Sequence, residues 1–563
     1  MTIAVFMPFA RFCFVTLPYM EFRIRIHKSL LLCLSALLLS TGYKAYDDLF
    51  EYSKNLEIFA NAYKQVGTHF VDEVNAGTLM RKGLDAMLVS LDPYTNYYSE
   101  SQTEEAMIER QGEYGGVGCR VIIRNRYPVV SEVFRGYAFA LADIRHGDII
   151  KFVAGQDMAG KTTTDVGAML RGAPNTSVTL IVERNGQRLE KKITRVSVRT
   201  KNVPWSGMVN EHTGYIKLDE FGQNCAQELE TALVNLKKNP GMNNLILDLR
   251  GNGGGLLGEA VNIVGLFVGE KKLVVNMKGR GPESNRKWIT TKPAVAPDLP
   301  MVVLVDAQSA SASEVVSGSL QDMDRAVIIG RNSFGKGLVQ NFFPLPYRTQ
   351  MKITTAKYYT PSGRCIQLLD YSKRNPDGSA GTIPDSLRRA FKTASGRTVY
   401  DGGGIRPDVV VDEFSGEPLI KYLIDERFLF DFANDYRNSN ENLPAAERFV
   451  TQASFDAFGK QCATKLKSQL RKKMEESLQG SVKDEELVKM IMNGVSDVKL
   501  EKAVLDHINH CGEALMFRME EEIIARYPDA EREYKHRFVG DPDISSAIKT
   551  LNNQDNYRKI LRK

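Results

Sequence analysis

The 563 residues are 43% apolar and 25% charged, a balance that fits a globular chain long enough for several domains with sizeable cores. Of the net charge of +6, the first 44 residues carry +4, through Arg11, Arg23, Arg25, Lys28 and Lys44 against Glu21. The remainder is close to neutral and has no electrostatic footprint for nucleic acid, and seven scattered cysteines without a CxxC pair exclude a zinc ribbon or a dense disulfide framework.

Residues 1–45 read as an export segment. Arg23, Arg25, His27 and Lys28 flank an apolar core, Ser29 to Ser40, of signal-peptide length, and Ser40 and Gly42 suit a cleavage site. The alternative is an uncleaved inner-membrane anchor. Either way the rest of the chain is expected in the periplasm or cell envelope. Residues 46–110 read as helical: Leu56, Phe59, Ala60 and Tyr63 recur at i, i+3, i+4, i+7, and a second helix runs from Ala76 to Leu91, before Asp92-Pro93. Such faces are expected to pack on a neighbour.

Residues 111–198 are β-rich, with strand-like runs at Val117–Ile123, Val129–Phe134, Asp148–Val153, Val178–Glu183 and Glu190–Val196 and one helical piece, Thr164–Leu170. Gly115-Gly116-Val117-Gly118 precedes the first strand. Free amides in such a turn suit capture of a peptide carboxylate, which marks Gly116, Val117 and Gly118 as peptide-binding candidates. His146 reads as a turn residue. From 199 to 412, strands that are apolar end to end alternate with helices, the pattern of a sheet covered on both faces. Residues 368–400 read as an exposed polar insertion, and 413–563 as a charged helical extension.

Two glycine motifs invite a nucleotide reading and fail it. Gly253 to Gly258 fits G-x-G-x-x-G, but the acidic residue that should follow comes too early, at Glu270. Gly330 to Lys336 fits a phosphate loop up to its last position, where Gly337 replaces the required hydroxyl and an extended run follows instead of a helix.

The chemistry concentrates between Met301 and Gln340. A buried strand, Met301 to Val305, leads to Ser309-Ala310-Ser311-Ala312-Ser313-Glu314 and a helix start. A serine there sits where free amides and the helix dipole favour developing negative charge. Ser311 therefore reads as a nucleophile. No histidine falls in this stretch, although His212 lies in the same domain; Lys336, between Gly335 and Gly337 and among uncharged neighbours, reads as the base. Gln340, four residues on in an extended strand, shares its face and is expected to orient Lys336 without adding charge. The amides of Ala312 and Gly254 are the oxyanion candidates.

These residues resemble the C-terminal-processing peptidases, or tail-specific proteases. The resemblance runs from about Glu73 to Val411 and rests on four pieces in order: the segment of 111–198, which resembles a PDZ domain; Asp248 to Gly255; Ser309 to Glu314; and Gly335 to Gln340. It implies a multidomain α/β protein with a helical N-terminal segment, a PDZ domain, a peptidase core and a helical C-terminal extension. It implies a serine endopeptidase whose dyad is Ser311 and Lys336, with Gln340 as partner of the lysine, acting without cofactor or metal on proteins with free, apolar C-termini. Two departures stand out: Asp143 where PDZ domains usually carry glycine, and Gly253 in place of a proline. The extension is expected to serve assembly, as a homo-oligomer, or adaptor docking. The rival reading is a non-catalytic PDZ scaffold on an inactive protease fold.

Overall fold

The computed structural model describes residues 50–103, 113–199, 201–375, 378–412, 418–481, 486 and 496–562; the expected leader at 1–45 lies outside them. Among the described residues no helix is long and apolar enough to cross a membrane. The chain divides into two units, Met1–Met87 and Leu88–Lys563. In the first, a helix over 50–69 meets the start of the helix Ala76–Val89, and Tyr63 OH donates to Ala76 O at 2.7 Å. The predicted face is present but open: Leu56 and Phe59 are exposed and Tyr63 half-buried.

In the second unit, the strands Cys119–Arg124, Tyr127–Val133, Ile149–Val153, Ser177–Arg184 and Gln187–Thr194 form an antiparallel sheet in that order, closed over Phe139, Ile150, Val166 and Leu180. Cys119–Arg124 is an edge strand, and the helix Thr163–Leu170 runs beside it, started by a Thr162/Asp165 capping box. Asp143 adopts φ 54°, which explains why a glycine is usual there; aspartate tolerates this left-handed turn, and its carboxylate pairs with Arg145 and Arg184.

The core of the alternating α/β region is a six-stranded sheet in the order Trp205–Met208, Thr213–Lys217, Asn244–Asp248, Met301–Val305, Val327–Gly330, Val409–Val410, parallel except for its first pair. Its residues alternate between two cores. Ile216, Leu245, Leu247, Met301, Val303 and Ile328 pack under the helices Cys225–Leu236, Leu257–Val268 and Ala312–Asp322. Tyr215, Ile246, Val302, Leu304, Val327 and Ile329 face the other way, onto Tyr534, Ile544, Ala547, Leu551, Tyr557 and Leu561. The sheet is thus covered on both faces, and the second cover comes from the end of the chain. The helices Pro542–Asn552 and Gln554–Leu561 are part of the core, a role that the expectation of an assembly or docking extension did not include. Elsewhere the extension meets the PDZ-like sheet through the Arg124–Asp431 and Arg135–Glu533 ion pairs, at 2.6 and 2.8 Å.

A second sheet joins Asn96–Tyr98, Gln350–Tyr359, Leu273–Gly279 and Arg286–Ile289, with Leu338–Pro344 also paired to Gln350–Tyr359. The insertion at 368–400 is folded rather than simply exposed. It forms the hairpins Leu369–Arg374/Ala380–Thr382 and Ala390–Lys392/Thr398–Tyr400, and Arg397, in the turn of the second, is buried and bound to Asp324 and Asp408 at 2.5 Å each.

Because Leu551 is fully buried under the sheet, Leu551→Ala should destabilise the protein by about 3 kcal/mol. Denaturant unfolding followed by circular dichroism measures this. A change below about 1 kcal/mol, the size of a surface effect, would mean the terminal helices are not part of the core.

Candidate active site

The chain turns sharply between the strand Met301–Val305 and the helix Ala312–Asp322. Asp306 sets the turn by accepting from the amides of Gln308 and Ser309, each at 3.0 Å, and Ser309 Oγ donates to Leu249 O at 2.8 Å. Ser311 then takes φ 56°, ψ −111°, a conformation rare outside glycine and found where tertiary structure enforces it. It is half-buried at the N-terminus of a helix whose other residues are buried.

Glu314, one turn into that helix, enforces the conformation. Its carboxylate is fully buried. Oε2 accepts from the amides of Ser311 and Lys336 at 2.8 and 2.9 Å, and Oε1 accepts from Gly335 N and Ser333 Oγ at 2.7 and 2.6 Å. Burial pushes this carboxyl up, and its four donors pull it back. On the other side, the Tyr358 hydroxyl lies 2.5 Å from Lys336 O and 3.1 Å from Ser311 O, so it bridges the two carbonyls. The backbones of Ser311 and Lys336 are thus clamped to each other twice.

Lys336 leaves a loop that only small residues fit. A Cβ on Gly335, at φ 86°, would stand 2.5 Å from Leu368 Cβ. The lysine Nζ has no ion pair among the described residues and lies 4.5 Å above the Tyr94 ring. Its pKa is lowered, chiefly by burial and then by Lys352, against the opposing pull of Glu314 and Asp92. This is the electrostatic setting a neutral amine base needs. No hydrogen bond joins Lys336 Nζ to Ser311 Oγ in this state.

Gln340 departs from expectation. A bulge between Val339 and Gln340 breaks the two-residue alternation, and Gln340 Nε2 donates to Thr354 Oγ1 at 3.3 Å instead of reaching Lys336. Gly254 is well placed but engaged. At φ 105°, a Cβ there would meet Ala310 O and Ser311 Cβ at 2.8 Å and Ala312 N at 3.0 Å. Its N–H donates to Asn252 Oδ1 at 2.9 Å. Ala312 is buried beside it. His212 is excluded as the base by topology. It precedes the strand Thr213–Lys217, whereas Ser311 follows the C-terminal end of a parallel strand, so the two lie at opposite ends of the sheet. His146 is half-buried, and its imidazole is pushed down to about 3 by burial and by Arg526 and Arg135.

At the PDZ-like sheet, a cavity of about 530 Å³ runs between the edge strand and the helix Thr163–Leu170, and Gly116, Val117 and Gly118 stand in its wall with Phe134 and Leu170. Gly118 is at φ 77°, where a Cβ would strike Tyr137 Cβ at 2.4 Å.

Known proteins agree with this architecture. Residues 212–377 match Peptidase family S41, 105–183 match the PDZ domain, and 419–551 match the C-terminal helical domain of probable PDZ-proteases. The carboxy-terminal-processing protease of Bartonella bacilliformis is 33% identical over 319 residues, 56% of this chain and 73% of its own. The chain belongs to this family. It is a serine-type peptidase of family S41 with a PDZ domain. A probable CtpA-like serine protease of Staphylococcus aureus is 33% identical over 316 residues, 55% of this chain and 62% of its own. Among solved structures, the photosystem II D1 C-terminal processing protease shares 24% identity at a TM-score of 0.35, covering 63% of this chain and 92% of its own. The peptide-bound PDZ domain of a Vibrio cholerae carboxy-terminal protease shares 22% at a TM-score of 0.15, covering 16% of this chain and 99% of its own.

The sequence of this S41 peptidase does not disclose the Glu314 clamp; the serine–glutamate spacing reads only as a helix start. Glu314→Gln places an amide donor against backbone donors, and a shift on the order of 1 Å between reacting groups costs about 100-fold in rate. Steady-state peptide cleavage should therefore show kcat down about 100-fold with KM little changed. Unaltered kcat would show that the clamp does not set the site.

Proposed function

We propose that this S41 peptidase is an exported endopeptidase that captures unstructured, apolar protein C-termini in its PDZ groove and cleaves peptide bonds with Ser311 as nucleophile and Lys336 as general base. Neutral Lys336 takes the Ser311 proton as the hydroxyl attacks the scissile carbonyl. The resulting oxyanion is met by the Ala312 amide at the helix N-terminus and by an amide of Gly253 to Gly255; Gly254 serves once its N–H leaves Asn252. Protonated Lys336 then hands its proton to the leaving amine, and in the second half-reaction activates the water that frees Ser311. Gln340 steadies Lys336 after leaving Thr354. The observation that carries this reading is the clamp, in which one buried carboxylate fixes the backbone of both Ser311 and Lys336. Export rests on the apolar run Ser29 to Ser40 and its basic flank. An uncleaved run would leave the protein anchored to the inner membrane with the same sites exposed.

Incubation of the full-length protein with an unfolded substrate bearing an apolar C-terminus, followed by mass spectrometry, tests the proposal. Wild type should cut the substrate, and both Ser311→Ala and Lys336→Ala should reduce cleavage by at least about 1,000-fold. Cleavage undiminished in Lys336→Ala would remove the dyad. Peptide binding without cleavage by any form would favour the scaffold reading.

The pH dependence has a defined sign. The lysine pKa is lowered but still separates an inactive ammonium at low pH from an active amine at high pH. Hence kcat/KM should rise with pH and level off below the ordinary lysine range near ~10.4, and a metal chelator should leave it unchanged. Loss of activity on chelation would contradict a mechanism carried by these two side chains.

A further inference from the structure

Two segments distant in sequence meet over the amine of Lys336. The first is the turn at Asp92, whose Oδ1 accepts from the amides of Tyr94 and Thr95 at 2.8 Å and so presents the Tyr94 ring to Nζ at 4.5 Å. The second is the hairpin Leu369–Arg374/Ala380–Thr382. It brings Tyr371 edge-on to Tyr94, with centroids 6.1 Å apart and planes at 88°. The hairpin is also tied to the chain just before the Asp92 turn, by Arg374 Nη2 donating to Val89 O at 2.8 Å. The hairpin belongs to the insertion at 368–400, and the match to Peptidase family S41 ends inside it, at residue 377.

We propose, resting on the reading of Lys336 as the general base, that Tyr94 and Tyr371 are positioning residues. They form an aromatic wall over the base, which the insertion hairpin holds in place. The wall has two opposed effects on the amine, of which exclusion of water is the larger. It keeps water from one side of the amine, which favours the neutral form that begins the reaction. It also offers a ring face to the ammonium that forms when Lys336 accepts the serine proton. The charged groups that face Lys336 are Lys352 on the strand Gln350–Tyr359, Glu314 on the helix Ala312–Asp322, and Asp92 at the turn. Lys352 adds to burial, and the two carboxylates oppose it. Burial is the largest of these influences, so opening the wall should rehydrate the ammonium and raise the pKa of Lys336. Less amine is then free at neutral pH, and the activity profile moves to higher pH.

The test uses full-length Tyr371→Ala, Tyr94→Ala, Tyr94→Phe and Lys336→Ala, with kcat and KM for peptide cleavage measured across pH. Independently of turnover, the rate of Lys336 acylation by an amine-reactive ester is followed across pH by mass spectrometry in a Ser311→Ala background. Tyr371→Ala and Tyr94→Ala should move both profiles to higher pH. Their kcat should be down roughly tenfold at neutral pH and recover in alkali, with little change in KM. Tyr94→Phe, which keeps the ring, should return the profiles toward wild type. Tyr371 is half-buried on a surface hairpin, so its variant serves if Tyr94→Ala fails to fold. Unmoved profiles in Tyr371→Ala, with Lys336→Ala inactive, would overturn the wall. An active Lys336→Ala would overturn the base assignment itself, and with it the inference that rests on it.

Discussion

The site depends on one buried carboxylate. A charge fully removed from water is costly unless hydrogen bonds replace its hydration, and Glu314 has four of them, three from backbone amides. Because two of those amides belong to Ser311 and Lys336, the carboxylate cannot be satisfied unless the two residues are side by side. The arrangement carries an electrostatic tension. A carboxylate so near a lysine favours the ammonium, the wrong form for the base proposed for this site. The tension is contained by direction: both oxygens of Glu314 point at amides and a hydroxyl, no ion pair forms with Lys336, and burial with Lys352 outweighs what remains.

The clamp in turn needs a rigid floor. Ser311 follows a strand in the middle of the central sheet, with a neighbour on each side and a core on each face. The second core is built by the last helices of the chain, and a polar network ties those helices to the glycine loop beside Ser311. Arg250, two residues before Asn252, bonds Asp248 at 2.6 Å, Asp541 at 2.7 Å and Asp543 at 2.8 Å, while Arg331, just past the strand Val327–Gly330, bonds Asp543 at 2.7 Å. Asp248 is held far below the usual carboxylate range: burial works against it, and Arg250 and Lys217 overcome that. The C-terminal extension therefore supports the loop that carries Gly254 as well as the hydrophobic floor.

How much of this was legible in the sequence follows from the range of each interaction. The strand Met301–Val305, the helix after Ser311 and the extended run after Gly337 were legible because period and turn chemistry act within a few residues. The end-to-end apolar strands announced a sheet with two covered faces, but not that the second cover lies more than 200 residues downstream, since alternation says that a face is buried and not by what. That Gln340 bonds Thr354 here is not legible, because a bulge shifts the face of a strand without leaving a sequence signal. Arg397 reads as part of an exposed insertion because its partners, Asp324 and Asp408, lie outside that insertion. Glu314 reads as a helix start and not as a clamp for the same reason: three of its four donors come from residues 333 to 336.

The most direct test of the account is the rate at which a fluorophosphonate, which reacts only with an activated serine, labels Ser311 across pH in wild type and Lys336→Ala. The account predicts labelling at Ser311 alone, rising along a single titration that ends below the free-lysine range, and nearly abolished in Lys336→Ala. Equal labelling of both proteins, or labelling that does not change with pH, would show that Lys336 does not activate the serine.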